Sequence, residues 1–427
     1  MPAKRGPSPR RPSPRRTNGV SAPAITTEKF SRRKYPRTTI DIELAYTNKA
    51  AEGELLHPPS TIAIRGGKTI GQSTDKTTGK TSGQWVNRLI HGDNLAVMQA
   101  LLRDEQIAGR ITLAYIDPPF SSMNDFCAGK LRTSTMSKAS GDQLAYQDHL
   151  QRAEYLEFLR RRLILLRELL GEQGAIWVHI GHQMSHYVRV LLDEVFGPEN
   201  FLNEITRVKC NPKNFLRRAF GNVKDSLLYY SKTGRHVWNE QREMMSEDDL
   251  DRLFPRADKR GRRYTTTPLH APGETRKGAT GQNWMGQPPP PGRHWRYDPT
   301  ELTRLDQAGM IEWSARGNPR KIVYADDIRR AGKKRQDIWS FKDPAYPSYP
   351  TEKNLSLLET IILTSSNPGD LVLDCFAGSG TTLAAAAMHG RRWIGIDGSA
   401  VAMEKAGERL RGMSAARPFR LDRVSAK

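Results

Sequence analysis

Ile111-Thr112-Leu113-Ala114-Tyr115-Ile116-Asp117-Pro118-Pro119-Phe120 is the stretch on which the fold turns. Its first six residues are uncharged and mostly apolar, the pattern of a strand buried on both faces. The run stops at a carboxylate, two prolines and an aromatic ring. That ending reads as a rigid loop at the carboxyl edge of a sheet, where open α/β sheets place their ligands. A charged acceptor, two fixed carbonyls and a flat stacking face together suit a planar base carrying an amino group. A second stretch, Asp374-Cys375-Phe376-Ala377-Gly378-Ser379-Gly380-Thr381-Thr382, is placed to hold the other reactant. The two are expected on adjacent strands, forming one site.

Around these stretches strands and helices alternate. Asp93 and Asn94 make a helix cap ahead of Leu95, Met98 and Leu101. Tyr155, Leu156, Leu159, Leu163, Leu166 and Leu170 mark one face of a helix over residues 151–170. Residues 175–180 read as a buried strand, 186–196 as a helix stopped by Gly197-Pro198, and 353–366 as another helix. A βαβα unit follows: strand 370–374, the glycine turn, helix 381–389, strand 393–396 ending at Asp397, and helix 400–410. The alternation indicates a mostly parallel sheet. Residues 121–147 are polar and aperiodic, as in a mobile loop over a site. His179, His182 and His186 have a spacing that invites a metal reading, but His179 lies in the strand and no acidic or Cys partner is near, so no metal site is assigned.

The chain has 427 residues and a net charge of +21, unevenly spread. Residues 1–40 carry 11 Lys/Arg and 1 Glu; residues 205–335 carry 28 Lys/Arg and 15 Asp/Glu. The segments holding the two motifs are therefore nearly neutral. A polyanion held by dedicated parts is the implication, with nucleic acid first, although a solubilising tail and a solvated surface give the same count. No apolar run reaches membrane-spanning length, and the N-terminus lacks the apolar region of a secretory signal. Three scattered cysteines fit a reducing cytoplasm and exclude a disulfide framework.

Composition divides the chain into five parts. Residues 1–84 read as a disordered basic tail and linker. Residues 85–204 form one half of an α/β domain, and 336–412 form the other. Residues 205–335 form an insert, and 413–427 a C-terminal tail. In the insert, basic residues lie among Trp238, Trp284, Trp295 and Trp313, which suits DNA contact and equally suits a small core.

Gly378 and Gly380 allow a tight turn and close approach of a ligand to the backbone. Asp397, about twenty residues on, matches the acid that binds ribose hydroxyls in nucleotide sites. No Lys follows the turn and the third glycine of the dinucleotide fingerprint is missing. An adenosine-bearing cofactor without a pyrophosphate fits best.

At this point the motifs resemble a known family. Asp117-Pro118-Pro119-Phe120 is similar to the catalytic D/N/S-P-P-aromatic motif of amino-group DNA methyltransferases, and Asp374 to Thr381 is similar to their S-adenosylmethionine motif. Tyr349-Pro350-Thr351-Glu352-Lys353-Asn354 resembles the Y/H-P-T-Q-K-P segment before it, with Glu and Asn as departures. The motif order is that of the β group. His91-Gly92-Asp93-Asn94 and residues 193–201 further resemble modification subunits of type III restriction systems, although the chain is short for one. The resemblance implies a Rossmann-like methyltransferase fold with an inserted target-recognition region. It implies catalysis by Asp117, Pro118, Pro119 and Phe120, and S-adenosylmethionine held by Thr351, Lys353, Asp374, Phe376, Ala377, Gly378, Gly380, Thr381 and Asp397. Double-stranded DNA is the implied substrate, methylated at adenine N6 by base flipping, with cytosine N4, RNA or a protein amide as alternative acceptors. A DNA-binding protein without activity is the rival from another class. Relatives often dimerise, so a homodimer is implied, and a cognate restriction endonuclease is the other implied partner.

Overall fold

The computed structural model describes residues 44–56, 62–71, 85–120, 124–128, 143–148, 150, 152–211, 218–275, 277–345, 347 and 349–426. The tail over residues 1–40 and most of the loop expected over 121–147 lie outside these. The elements begin with α1 (Glu52–Leu56), β1 (Ile62–Arg65), β2 (Thr69–Ile70), β3 (Asn87–His91) and α2 (Asn94–Leu101). Next come β4 (Ile111–Ile116), the β5 (Asn124–Ala128) and β6 (Gln143–Asp148) hairpin, α3 (Arg152–Leu169), β7 (Leu170–Gly181) and α4 (Ser185–Phe196). Then follow β8 (Phe201–Val208) and β9 (Lys224–Ser231).

An inserted unit holds β10 (Arg242–Glu243), α5 (Glu247–Leu253), β11 (Arg256–Ala257), β12 (Arg263–Pro268), β13 (His270–Pro272) and β14 (Arg293–Trp295). It continues through α6 (Pro299–Gln307), β15 (Ile311–Trp313), β16 (Pro319–Tyr324), α7 (Ala325–Ala331) and β17 (Lys333–Lys334). The chain then returns as β18 (Ile338–Ser340), α8 (Leu355–Ser365), β19 (Leu371–Asp374), α9 (Thr381–Met388), β20 (Arg392–Asp397), α10 (Ala400–Arg411) and β21 (Phe419–Ala426).

One large sheet runs β1-β21-β3-β20-β19-β4-β7-β9-β8-β18. From β21 to β7 all neighbours are parallel, and β9 is antiparallel to both β7 and β8. From Leu113 onward the β4 side chains alternate with the two-residue period of a strand, after an irregularity between Ile111 and Leu113. Ile111, Ala114 and Ile116 pack with α2, α3 and α4, while Leu113 and Tyr115 pack with α8 and α9. Leaving β4, the chain crosses one face through α3 to β7. Leaving β19, it crosses the other face through α9 to β20. Adjacent strands whose crossovers take opposite faces open a crevice at their carboxyl ends, the switch point of a doubly wound sheet.

Three boundaries expected from composition are corrected. The C-terminal segment 413–427 is no tail: Phe419 is fully buried against Trp393, and β21 pairs along β3, one strand in from the edge of the sheet. Order does not begin at Trp85. β1 and β2 pair with β21, and α1 docks on α3 through Glu52 and Arg167, 2.6 Å apart. The insert does not begin at 205, because Leu227-Leu228-Tyr229-Tyr230 of β9 are buried between both helical layers. It starts after β9 and ends before β18, with a four-stranded sheet β11-β12-β16-β15. Of its tryptophans, Trp284 and Trp295 form a small core with Leu269, Leu302 and Leu305, whereas Trp313 stacks on Trp284 from an exposed position.

Candidate active site

β19 pairs with β4 in parallel, Val372 opposite Leu113 and Leu373 opposite Ala114. That register brings the ends of the two strands, Asp374 and Ile116, to one edge. A single cavity there is lined by Asp117, Pro118, Pro119 and Phe120 on one side, and by Asp374, Phe376, Ala377, Gly378, Ser379 and Thr381 on the other. Thr351, Lys353 and Asp397 complete the wall. Two stretches more than 250 residues apart thus share one site, as their sequence reading requires.

The proline loop is anchored from below. The Phe120 N–H donates to Asp148 Oδ2 at 3.0 Å, and the Phe120 ring lies over Gly181, where a Cβ would come within 2.9 Å of it. Asp117 Oδ2 is 2.5 Å from Lys353 Nζ, while Asp117 Oδ1 is buried without a hydrogen-bond partner among the described residues. Lys353 also donates to the Thr351 carbonyl at 3.2 Å and stands 5.4 Å from the Phe120 ring centroid. Lys353, expected among the cofactor ligands, lines the cavity and is turned toward Asp117 and the Phe120 ring. Thr351 adopts φ +60°, a strained left-handed backbone for a β-branched residue, with its hydroxyl on the Pro350 carbonyl.

On the opposite wall, Gly378 has φ +51° and its N–H donates to Asp397 Oδ2 at 2.8 Å. The other oxygen of Asp397 accepts from the Ser399 N–H at 2.8 Å. Burial pushes the Asp397 carboxyl up, against those two hydrogen bonds. Asp374 is pushed up to about 7, first by burial, with Asp117 and Asp397 adding and hydrogen bonds from Thr382 and the Phe376 N–H opposing. Phe376 is steadied by Phe158, centroids 6.1 Å apart, and Asn94 Nδ2 holds the Cys375 carbonyl at 2.7 Å. Gly380 stands behind the cavity wall: its φ is +75° and a Cβ would meet Ala406 of α10 at 3.0 Å.

Several site residues escaped the sequence reading. Tyr115, Asp148, Tyr349, Glu352, Ser379 and Thr382 also line the cavity. Tyr349 and Glu352 belong to the family-like segment and were within reach. Asp148 closes an aperiodic stretch and carried no signal. Glu352, a departure from the family-like pattern, pairs with Arg409 of α10, which also donates to Ser379 Oγ at 3.1 Å and Thr381 Oγ1 at 2.6 Å. The three histidines take separate partners: His179 meets Tyr115 and Asp225, His182 meets Asn222, and His186 is exposed. Among the described residues no helix is long and apolar enough to cross a membrane.

The pattern of a DNA methylase family, covering N6 and N4 enzymes, matches residues 111–408. The type II methyltransferase M.EcaI of Enterobacter cloacae is 40% identical over 364 residues, 84% of this chain and 75% of that protein. The StyLTI Mod subunit, a type III restriction-modification enzyme of Salmonella typhimurium, is 25% identical over 330 residues, 69% of this chain but only 49% of its own length. Among solved structures, the M1.HpyAVI–SAM complex matches at 17% identity and a TM-score of 0.38, covering 75% of this chain and 99% of that one. On the extent of the family match and the identity to M.EcaI, the chain belongs to the N6/N4 DNA methylase family and is a DNA methyltransferase.

Proposed function

We propose that the chain transfers a methyl group from S-adenosylmethionine to the N6 amine of adenine in double-stranded DNA, with the target base turned out of the duplex. The observation that carries this reading is the Asp117 carboxylate, which lines the cavity it shares with the glycine turn and keeps one buried oxygen, Oδ1, without a hydrogen-bond partner among the described residues. An exocyclic amine is a poor nucleophile because its lone pair is delocalised into the ring. Hydrogen bonds accepted from both N–H groups localise that lone pair toward the methyl donor. The Asp117 carboxylate accepts one of them and the Pro118 carbonyl, its direction fixed by the ring, accepts the other. Phe120 supplies a stacking face for a base that has left the helix.

The opposite wall suits the methyl donor. Asp374 and Asp397 are buried carboxylates able to face a cationic, hydroxyl-rich ligand, and the turn at Gly378 lets backbone approach it closely. S-adenosylmethionine brings the activated methyl group and a neutral thioether as leaving group. The protein's contribution is positioning: the new N–C bond forms as the S–C bond breaks, and one amine proton leaves to solvent. The leading Asp of the motif supports adenine over cytosine. Given its type II and type III relatives, we place the activity in a restriction-modification setting.

Nucleoside mass spectrometry on DNA from cells expressing the chain tests this directly. N6-methyladenine that disappears in Asp117→Ala is the expected result. N4-methylcytosine in its place overturns the choice of base, and methylation that survives Asp117→Ala overturns the site.

A further inference from the structure

Behind the proline loop sits a buried group that no step above employs. His179 of β7 is fully buried, and its ring centroid is 5.9 Å from that of Phe120. Its Nδ1 is 2.9 Å from the Tyr115 hydroxyl, and its Nε2 is 3.3 Å from Asp225 Oδ2 on β9. The charged groups around it are Asp225, Asp117, whose Oδ1 is 3.9 Å from Nδ1, and Lys353 beyond Asp117. Lys209 Nζ, 2.7 Å from Asp225 Oδ1, and Arg207 Nη1, 3.8 Å from Oδ2, stand on the far side of Asp225.

These distances fix where the imidazole carries its proton. Burial pulls His179 below the usual histidine range, so the ring is neutral with a single N–H. Burial would raise Asp225, but His179 and Lys209 outweigh it and hold the carboxyl well below the usual range. An ionised carboxylate only accepts, so the histidine proton must lie on Nε2. Nδ1 is then a bare lone pair. It takes the Tyr115 O–H and has nothing to donate to Asp117. In the opposite tautomer, a lone pair would face Asp225 and an N–H would stand beside Asp117 Oδ1, able to satisfy it after a shift of under about 1 Å.

We infer that Asp225 and His179 are positioning residues that leave the buried Asp117 Oδ1 unengaged, so that the carboxylate stays free to turn to the substrate amine, by holding the histidine in the tautomer that cannot donate to it. This rests on the role proposed above for Asp117. The pair acts through the direction of a hydrogen bond and touches neither reactant.

The test uses the full chain labelled with ¹⁵N-histidine, the His179 signals being assigned by their loss in His179→Gln. Two-bond ¹⁵N–¹H spectra should show the Nε2–H form in the wild type. In Asp225→Asn, the side-chain amide can donate to Nε2, and the spectrum should move to the Nδ1–H form. Single-turnover methyl transfer should then fall by about tenfold or more, with S-adenosylmethionine affinity and melting temperature retained. Asp225→Glu, which stays an acceptor, should keep the wild-type tautomer and recover most of the rate. A wild-type His179 in the Nδ1–H form overturns the inference, and needs no variant to fold. So does Asp225→Asn switching the tautomer without slowing transfer, or slowing transfer without the switch. Transfer surviving Asp117→Ala would instead remove the underlying role of Asp117, which separates the two failures.

Discussion

Lys353 Nζ lies 2.5 Å from Asp117 Oδ2, so one carboxylate has an ion-paired oxygen and a buried oxygen, Oδ1, without a hydrogen-bond partner among the described residues. The lysine comes from the segment before α8 and the aspartate from the end of β4. Their contact ties the loop after β4 to the segment before α8.

Removing that clamp should slow the chemistry more than it unfolds the protein. A hydrogen bond to a charged group contributes about 1.5–3 kcal/mol. Lys353→Ala should therefore lower the methyl-transfer rate by roughly 10- to 100-fold, because Asp117 loses both its counter-ion and its fixed orientation. Lys353→Arg should do better than Ala without reaching wild type, since the forked head does not fit a site built for a point charge. Single-turnover kinetics at saturating cofactor measure this, and an unchanged rate in Lys353→Ala would show that the clamp is not used.

Asp374 makes ligand binding depend on pH. Its carboxyl titrates near about 7 in the fold, against 3.8 for an ordinary aspartate. Between those values only the unfolded chain ionises, so this group's contribution to stability declines as pH rises from about 4 to 7 and is flat above. The amount is on the order of 4 kcal/mol. A cationic cofactor reverses the preference by stabilising the ionised form. S-adenosylmethionine affinity should thus rise between pH 6 and 8, and binding near pH 6.5 should release protons. Calorimetry in two buffers of different ionisation enthalpy reads the release directly, and it should be absent in Asp374→Asn.

The C-terminal strand should prove essential to the fold. β21 lies between β1 and β3, and Phe419 is buried against Trp393. Phe419→Ala should cost about 3–5 kcal/mol, and truncation after Gly412 should expose the edge of β3 and abolish soluble expression. Denaturant melts of the point variant and fractionation of the truncated one give the answers. A truncated chain that folds and methylates would return the segment to the status of a tail.

How much of this could be read from residues alone depended on where the information lies. Strand β4, the glycine turn and the helices on both faces follow from apolar periodicity and turn chemistry, which are local. That Asp117 and Gly378 meet followed from the strand-end grammar of α/β sheets combined with a family resemblance. The strand status of residues 419–426 was hidden because the segment is short in apolar residues and carries Asp422-Arg423 in succession, and its buried Asp422 is satisfied by groups distant in sequence, Arg88 at 2.8 Å and the Gly67 N–H at 3.2 Å, besides Arg420 at 2.6 Å. The end of β8 and all of β9 were assigned to the insert because antiparallel strands break the rhythm of a parallel sheet. Lys353's turn toward Asp117 and the partners of His179 depend on distances between elements, which no spacing encodes.

Glu352 gives the last test, because it stands where the family-like segment has Gln. Arg409 neutralises it and reaches Ser379 and Thr381 in the glycine turn, so the departure is compensated from α10. Arg409→Ala removes the counter-ion of a largely buried carboxylate and loosens the turn. It should weaken S-adenosylmethionine binding by about tenfold, roughly 1.4 kcal/mol. Glu352→Gln alone restores the family-like residue and should be nearly neutral. The two changes together should bind better than Arg409→Ala alone, since the double variant no longer carries the Glu352 charge that Arg409 offsets. A double-mutant cycle on the dissociation constants measures that coupling. Strict additivity would mean that Glu352 and Arg409 act independently, and that the turn is held by the Arg409 hydrogen bonds to Ser379 and Thr381 alone.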